Sequence, residues 1–482
     1  MIASTEDAPG PSSSRSGRRY VSLRRPLLWQ LGACVVPAMG LVAVGAPQMG
    51  AYLLFGALGI ALVANHALGR QLSALALTVA ALPAIMLLRD LVLYNSVVIL
   101  LAGNIVLLLA RSPAHAAIFR RSGLPWICYG AALYWLLSFG ATGDYYANLR
   151  LLELVGSAAT VVLLSRHRVY LATALYGLLG SLAVIGAALL PTGDRLGYAR
   201  IGGVLLGNPI AFGLPLALLL VLAMADDGRW LLLQRNATLR LLVVSFVGVM
   251  LLLSTSRGSW LVAAAGVFAI VVLNRSSRRV ALAGLVAMTI GGALAMQTSR
   301  GQDVSMWLDR TFSDDRSLGN RTSGRSDQWL LFPAVMASAP PWGYGPGTGK
   351  LVYARFSALD PRIHLKPGMA FDWHSLYLQI GVETGLVGIT VLLVGFAALG
   401  WRGWRHWAAT GDVTPIVGTL GFFLIGLTVS GMDAASGLYL GFAMLAGRAW
   451  TARARRRGAR RRRPLPRGVE PEGALPARGA AP

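Results

Sequence analysis

The sequence has few charged side chains. Charged residues make up 13% and hydrophobic residues 55% of its 482 residues, whereas a soluble globular domain carries about 25% charged residues. Its repeated apolar runs, of about 17–25 residues, are long enough to cross a bilayer. The chain also lacks the alternation of apolar and polar residues that marks a β-barrel. This composition excludes a soluble globular protein and predicts a helical membrane protein.

Cysteine, acidic residues and lysine are also scarce. The two cysteines, Cys34 and Cys128, lie within apolar segments, so we expect no disulfide framework. There are 44 basic and 20 acidic residues, a net charge of +24, and nearly all the basic residues are arginine. They lie between apolar segments and at both ends of the chain, which is typical of topology signals and of contacts with anionic lipid headgroups. We therefore expect membrane lipids, and not nucleic acid, as their partners.

Apolar segments follow one another along most of the chain and predict the fold class. We expect an all-α protein, a polytopic transmembrane helical bundle of about 12–14 spans with one large, partly helical extracytoplasmic loop. The predicted spans are residues 27–46, 49–68, 72–88, 91–110, 124–140, 149–164, 169–190, 204–224, 240–255, 258–273, 280–296, 374–399, 414–430 and 435–450.

The same pattern predicts how the chain is divided. In chain order we expect a disordered basic N-terminal tail, a transmembrane bundle, the large extracytoplasmic loop, further transmembrane helices and a disordered Arg-rich cytoplasmic tail. Their bounds are 1–25, 26–296, 297–373, 374–450 and 451–482. Arginine is concentrated in alternate connections, so the positive-inside rule places both termini in the cytoplasm and the long loop outside.

The segment 297–373 is the longest polar stretch between apolar spans. It is rich in aromatic residues, which a disordered linker lacks, and a long ordered loop in a compact architecture is usually functional. We predict an amphipathic helix at about 326–338 and a turn-rich hinge at the glycine run 343–349. We expect the segment to pack as a lid over the outer mouth of the bundle.

Residues suited to chemistry gather at the outer end of the predicted bundle. Arg257 lies in a tight turn between two apolar spans, at a depth where a charged residue is a functional candidate, the alternative being that it reaches an outer headgroup. His374 begins a span two crossings later, so it shares the face of Arg257, and Arg325 lies in the loop between them. Guanidinium groups bind phosphate oxygens, and imidazole exchanges protons near neutral pH. The set therefore favours chemistry on a phosphorylated substrate.

Further residues on the same side are candidates for substrate binding. They are Arg200, Asn208 in the turn before Pro209, Arg321, and Glu383, which lies below His374 in its span. The outward acidic residues have no recognised metal-ligand spacing, and the glycine run does not match a nucleotide-binding loop. We therefore expect neither a metal nor another cofactor.

These motifs resemble the O-antigen ligase and polymerase superfamily of bacterial membrane glycan transferases. The likeness covers roughly residues 200–395. It is carried by Ser256-Arg257-Gly258, by Gly324-Arg325 followed by Trp329, by the Pro/Gly-rich stretch Pro340–Gly349, and by His374-Ser-Leu-Tyr-Leu with Glu383-Thr-Gly385. The family usually has Asn after this histidine, whereas Ser375 follows it here.

The resemblance implies transfer of a glycan from a polyprenyl-pyrophosphate carrier to an acceptor hydroxyl, on the outer face of the cytoplasmic (inner) membrane and without nucleotide or metal. The acceptor would be a glycan, a lipid or a protein. The family's essential residues, two arginines and one histidine, correspond to Arg257, Arg325 and His374. One direct displacement at the anomeric carbon would invert its configuration.

Two other classes of function remain open at this point. A transporter or flippase of a lipid-linked or small polar solute would need paired charges near the bilayer midplane and broken helices in corresponding halves. The polar candidates here gather instead at one outer face. The other alternative is a membrane scaffold. Within the transferase class, ligase and polymerase share donor chemistry and are not separated by the sequence.

Overall fold

The computed structural model describes residues 14–87, 92–142, 145–189, 209–225, 229–233, 236–297, 324–363, 367–429 and 434–446, with the isolated positions 302 and 305. In these residues the protein is all-helical, as predicted. The seventeen helices in the described residues are α1 (Ser14–Ala43), α2 (Pro47–Ala67), α3 (Gln71–Leu87), α4 (Val92–Arg111), α5 (Pro113–Ser122), α6 (Leu124–Thr142), α7 (Tyr145–Leu164), α8 (Arg168–Leu189), α9 (Pro209–Met224), α10 (Ala237–Leu253), α11 (Arg257–Leu273), α12 (Arg278–Met296), α13 (Arg325–Ser338), α14 (Gly349–Ser357), α15 (Leu376–Thr410), α16 (Thr414–Thr428) and α17 (Ala434–Met444).

Each apolar span predicted from the sequence coincides with a helix, but some helices are longer than the apolar runs within them. α1 begins at Ser14, inside the segment predicted to be a disordered tail, and α15 continues to Thr410, past the predicted end at residue 399. Both extensions contain arginine, which helices accept but hydropathy does not count as membrane-spanning. The predicted C-terminal tail 451–482 lies outside the described residues.

α5 is a helix that hydropathy did not predict. It bends by 114° from α4 and has Arg120 and Arg121 in its last turn. The basic residues lower its hydropathy, so the helix does not register as an apolar span. The bend lies at Ser112-Pro113, where proline favours a first helical turn and pushes the preceding residue out of the helical conformation; Ser112 is extended, with ψ 97°.

Three helices in the described residues are long and apolar enough to cross a membrane. The qualifying stretches are Met49–Ala67, Arg168–Ala187 and Leu376–Thr410, and the bent pair α4 and α5 would add a fourth if it forms one span. The described residues also include seven shorter apolar helices. The apolar helices are those of a multi-pass membrane protein, while the number of spans and their orientation stay predictions.

Two buried helices, α9 and α17, form the centre of the bundle. α9 packs against α10 and α11, and α17 packs against α7 and α16. They are joined where the Tyr439 hydroxyl donates to the Leu214 carbonyl over 3.0 Å. Gly437 and Gly441 face α7 so closely that a Cβ at Gly437 would lie 2.3 Å from the Leu154 carbonyl oxygen. Small residues four apart allow this close approach of helix backbones.

Residues 324–363 and 367–373, here called the loop unit, are the described part of the long polar segment. α13 matches the helix predicted at 326–338. The unit has its own apolar core of Leu331, Val335, Val352, Tyr353, Ile363 and Trp373, which is completed by Leu378 and Val382 of α15. The unit is therefore folded and seated on the first turns of α15.

The predicted orientation is tested by two serines that are exposed at opposite ends of the bundle. In a Cys34→Ala, Cys128→Ala background, we expect Ser338→Cys in the loop unit to react in intact cells with a membrane-impermeant thiol reagent. Ser276→Cys, between α11 and α12, should react only after permeabilisation, because its turn carries arginine. Equal labelling of both in intact cells would contradict the orientation.

Candidate functional site

The C-terminal end of α16 is the point at which the predicted catalytic segments meet. The last carbonyls of a helix have no partner within it and need donors from elsewhere. The backbone N–H of Leu376 donates to the Val429 carbonyl over 3.0 Å, and the Ser375 hydroxyl donates to the Gly426 carbonyl over 3.0 Å. These bonds fix His374, the residue just before them, at this end of the bundle.

Arg325 reaches the same helix end from the loop unit. It is the first residue of α13 and follows Gly324, whose φ of 80° favours glycine. Its Nε donates to the Thr428 carbonyl over 3.1 Å. Arg325 is half-buried, so α13 is attached to the bundle through a charged side chain.

The segment of Arg257 reaches Thr428 from the bundle itself, through Gly258. It begins α11 after the buried turn Ser254–Ser256, in which Thr255 has a φ of 49°, a strained value for a β-branched residue. The next residue, Gly258, packs on Thr428, and a Cβ there would lie 2.9 Å from the Thr428 hydroxyl oxygen. The segments of Arg257, Arg325 and His374 therefore converge on residues 426–429.

Gln328 links α13 to the His374 segment and was missed by sequence reasoning. Its side-chain amide donates to the Asp372 carbonyl and accepts from the His374 N–H, each over 2.7 Å. The side chain is fully buried. Its position three residues after Arg325 is a helical spacing, but sequence gives no signal for the partner segment 46 residues away.

Aromatic residues of the loop unit pack beside the histidine segment. The Phe371 ring stands edge-on to the His374 ring, with centroids 4.7 Å apart, and the buried Tyr353 and Trp373 rings pack edge-to-face at 5.6 Å. Burial raises the pKa of the Tyr353 hydroxyl, and the charge of Asp327 raises it further, so this tyrosine keeps its proton at neutral pH.

Glu383 is buried below His374 in α15. Its carboxylate accepts hydrogen bonds from the Tyr134 hydroxyl and the Gln379 side-chain amide, and from the Gly349 N–H over 3.2 Å. The predicted substrate-binding carboxylate is thus in contact with three protein donors. Sequence gave no signal for the contact with Tyr134, which is 249 residues away.

The glycine run predicted as a hinge is packed against α15. It forms turns, with φ of 79° at Gly343, 105° at Gly345 and 82° at Gly347. The Tyr344 N–H donates to the Val382 carbonyl over 2.9 Å, which seats the run on the helix backbone.

Three predicted substrate-binding residues, Arg200, Asn208 and Arg321, lie outside the described residues. Their roles stay predictions. In the described part of the chain, no group of three or more His, Cys, Asp or Glu side chains is placed to hold a metal ion.

An apolar groove opens beside the Arg257 end of the bundle. Its volume is about 370 Å³. It lies between the end of α10, the start of α11 and the second half of α12, and its lining includes Leu253, Trp260, Met288 and Met296. The Trp260 indole donates to the Leu251 carbonyl over 2.8 Å, which holds the ring as a wall of the groove.

A known protein family matches the part of the chain that contains these segments. Residues 241–393 match the O-antigen ligase family. The match includes Arg257, Arg325, His374 and Glu383, spans about a third of the chain and falls within the region of resemblance at 200–395. It confirms that the protein is related to the O-antigen ligases. No curated protein matches the chain.

The role of Gln328 is tested by Gln328→Leu. This change leaves the Asp372 carbonyl and the His374 N–H unsatisfied, which costs about 1–3 kcal/mol for each buried group. We expect peptides covering residues 371–376 to exchange amide hydrogen about tenfold or more faster in the purified protein. Gln30→Leu, which removes an acceptor of Asn65 in the α1–α2 pair, is the matched control and should leave that exchange unchanged. Unchanged exchange in Gln328→Leu would contradict the role.

Proposed function

We propose that the protein transfers a glycan from a polyprenyl-pyrophosphate carrier to an acceptor hydroxyl on the outer face of the cytoplasmic membrane. The observation that carries this proposal is the convergence of the Arg257, Arg325 and His374 segments on residues 426–429. These segments carry two arginines and one histidine to one end of an apolar bundle, which supports the proposal.

The arginines suit the leaving group. Departure of a pyrophosphate requires stabilisation of negative charge on its oxygens, which guanidinium groups provide through paired hydrogen bonds. Arg257 and Arg325 are also the first residues of α11 and α13, and the N-terminus of a helix carries partial positive charge that favours phosphate. The guanidinium charge and the backbone N–H groups at the start of each helix therefore both favour binding of the pyrophosphate.

The groove beside Arg257 suits the carrier lipid. An isoprenoid chain is apolar, so it can lie against an apolar wall without burying an unsatisfied polar group. The groove's lining is almost wholly apolar. A chain lying between α10 and α12 would place its pyrophosphate near the start of α11.

His374 suits the acceptor. In a direct displacement the acceptor oxygen bonds to the anomeric carbon as the bond from that carbon to the pyrophosphate oxygen breaks, and the bonding electron pair leaves with the pyrophosphate. The hydroxyl proton passes to the His374 imidazole, whose ring packs against Phe371, while the backbone N–H of His374 donates to Gln328. The anomeric configuration is inverted, and the reaction uses no metal or other cofactor.

A transporter or flippase is the alternative, and a break in α15 at Gly385 bears on it. Transporters use broken helices to bind their solute. Here the carbonyls of Val382 and Glu383 are occupied by the N–H groups of Tyr344 and Gly345, over 2.9 Å and 3.0 Å. Since the loop unit fills the break, this feature supports the transferase instead.

The role of the arginines is tested by Arg257→Lys and Arg325→Lys. Lysine keeps the charge but loses the planar fork that grips two oxygens, so we expect the turnover to fall by about 10²–10³. The measurement is release of polyprenyl pyrophosphate from a lipid-linked oligosaccharide by purified protein in liposomes. Arg279→Lys is the matched control, because Arg279 is exposed and lies at the start of α12, at the end of the bundle opposite to Arg257.

Full activity of both lysine variants would contradict this role. A chelator should leave the wild-type rate unchanged, because arginine supplies the positive charge. A rate lost with chelator and restored by Mg²⁺ would contradict the metal-free mechanism.

The role of His374 is tested by His374→Ala in the same liposomes. We expect the turnover to fall by about 10²–10⁴, which is the usual effect of losing a positioned base. Binding of the donor should persist, because the pyrophosphate is held by arginine. His66→Ala, a histidine bonded to Asn104 within the bundle, controls for general damage. Turnover that survives in His374→Ala would rule out the assignment.

A further inference from the structure

The helix α15 is interrupted at Gly385, and the loop unit completes it. Gly385 has φ 65° and ψ −160°, a conformation that essentially only glycine adopts. In an unbroken helix the Glu383 carbonyl would accept from the Val387 N–H. Instead it accepts from the Gly345 N–H over 3.0 Å, and the Val387 N–H donates to the Pro341 carbonyl over 3.4 Å. Backbone groups of the loop unit thus replace a turn of hydrogen bonds.

The junction has no room for a side chain. A Cβ on Gly343 would lie 2.5 Å from the backbone nitrogen of Gly385, and a Cβ on Gly385 would lie 2.1 Å from the Pro341 carbonyl oxygen. Both values are shorter than a van der Waals contact. The close approach of the two backbones therefore requires glycine at both Gly343 and Gly385.

The Glu383 carboxylate lies directly beside this junction. It accepts from the N–H of Gly349, the first residue of α14, where a negative charge is favourable because the N-terminus of a helix is partially positive. It also accepts from Gln379 in its own helix and from Tyr134 of α6. One buried carboxylate therefore joins α6, α15 and the loop unit.

A buried carboxylate suits this place better than a neutral amide. An ionised carboxylate only accepts hydrogen bonds, and the groups around it are donors: the backbone N–H of Gly349, one hydroxyl and one amide. A glutamine would replace one acceptor oxygen by an NH₂ group that faces donors. A charge buried without such partners would be strongly unfavourable.

The contacts of Glu383 continue to the histidine. The Trp373 indole donates to the carbonyl of the same Gly349 over 2.9 Å, and Trp373 precedes His374. We propose that Glu383 is a positioning residue, whose carboxylate latches the loop unit onto α15 and thereby sets the place of His374. The attachment of the loop unit to α15 is independent of the reaction, whereas its effect on turnover through His374 rests on the proposed function.

The test uses the full-length protein in lipid nanodiscs and limited digestion with trypsin. Lys350, Arg355 and Arg362 are exposed cleavage sites in the loop unit. We expect Glu383→Gln to speed cleavage at these sites by about tenfold or more, because release of a folded segment raises its open fraction. Tyr134→Phe, which removes one donor and keeps the ring, should give a smaller increase. Asp412→Asn, a buried acid at the opposite end of α15, is the matched control and should give none.

The unfolding temperature of the bundle and the turnover separate positioning from a general structural role. A latch predicts faster cleavage and a turnover lowered by about tenfold or more, with an unfolding temperature within a few degrees of the wild type. Cleavage at the wild-type rate in Glu383→Gln would overturn the proposal. A fall in the unfolding temperature in proportion to the changes in cleavage rate and turnover would also overturn it, because it would show a general loss of stability. If the wild type has no transferase activity, the proposed function fails, while cleavage still decides whether the latch exists.

Discussion

The last carbonyls of α16 have no partner within the helix, and the site depends on the hydrogen bonds that other segments donate to them. A helix end in an apolar bundle cannot rely on water, so its last carbonyls need protein donors. Here the donors are the Arg325 side chain, the Ser375 hydroxyl and the Leu376 N–H. The requirement that completes α16 therefore also brings α13 and the start of α15 to one place. The site is built from the hydrogen bonds that the fold needs in any case.

Hydropathy was sufficient to predict the apolar helices of the bundle, because each apolar run is long and its residues repeat locally. It was also sufficient to place Arg257 and His374 at one end, since counting two crossings requires no detail of packing. Gln328 and the junction at Gly385 could not be predicted in this way. Their partners lie tens of residues away along the chain, and a hydrogen bond between distant segments leaves no periodic pattern. α5 was not predicted because its arginines lower the mean hydropathy of the helix.

The loop unit shares its apolar core with α15. Six of its own side chains form the buried part of that core, four more pack against it (Phe332, Tyr344, Phe356 and Phe371), and Leu378 and Val382 of α15 complete it. The unit therefore gains from α15 part of the apolar burial that offsets the entropy of ordering its backbone. Its fold therefore depends on α15, through the apolar contacts and through the bonds at Glu383. This dependence gives a physical reason for the glycine run to be packed rather than free.

The proposed mechanism divides the site between two bodies. Arg257 belongs to the bundle, Arg325 to the loop unit, and His374 lies where the two join. Positive charge for the pyrophosphate and a base for the acceptor are then present together only when the loop unit is seated on α15. An unseated unit would leave one arginine at the start of α11 and no positioned histidine, which suits carrier binding without transfer. In the proposed mechanism, transfer therefore depends on the same hydrogen bonds that complete α15 and α16.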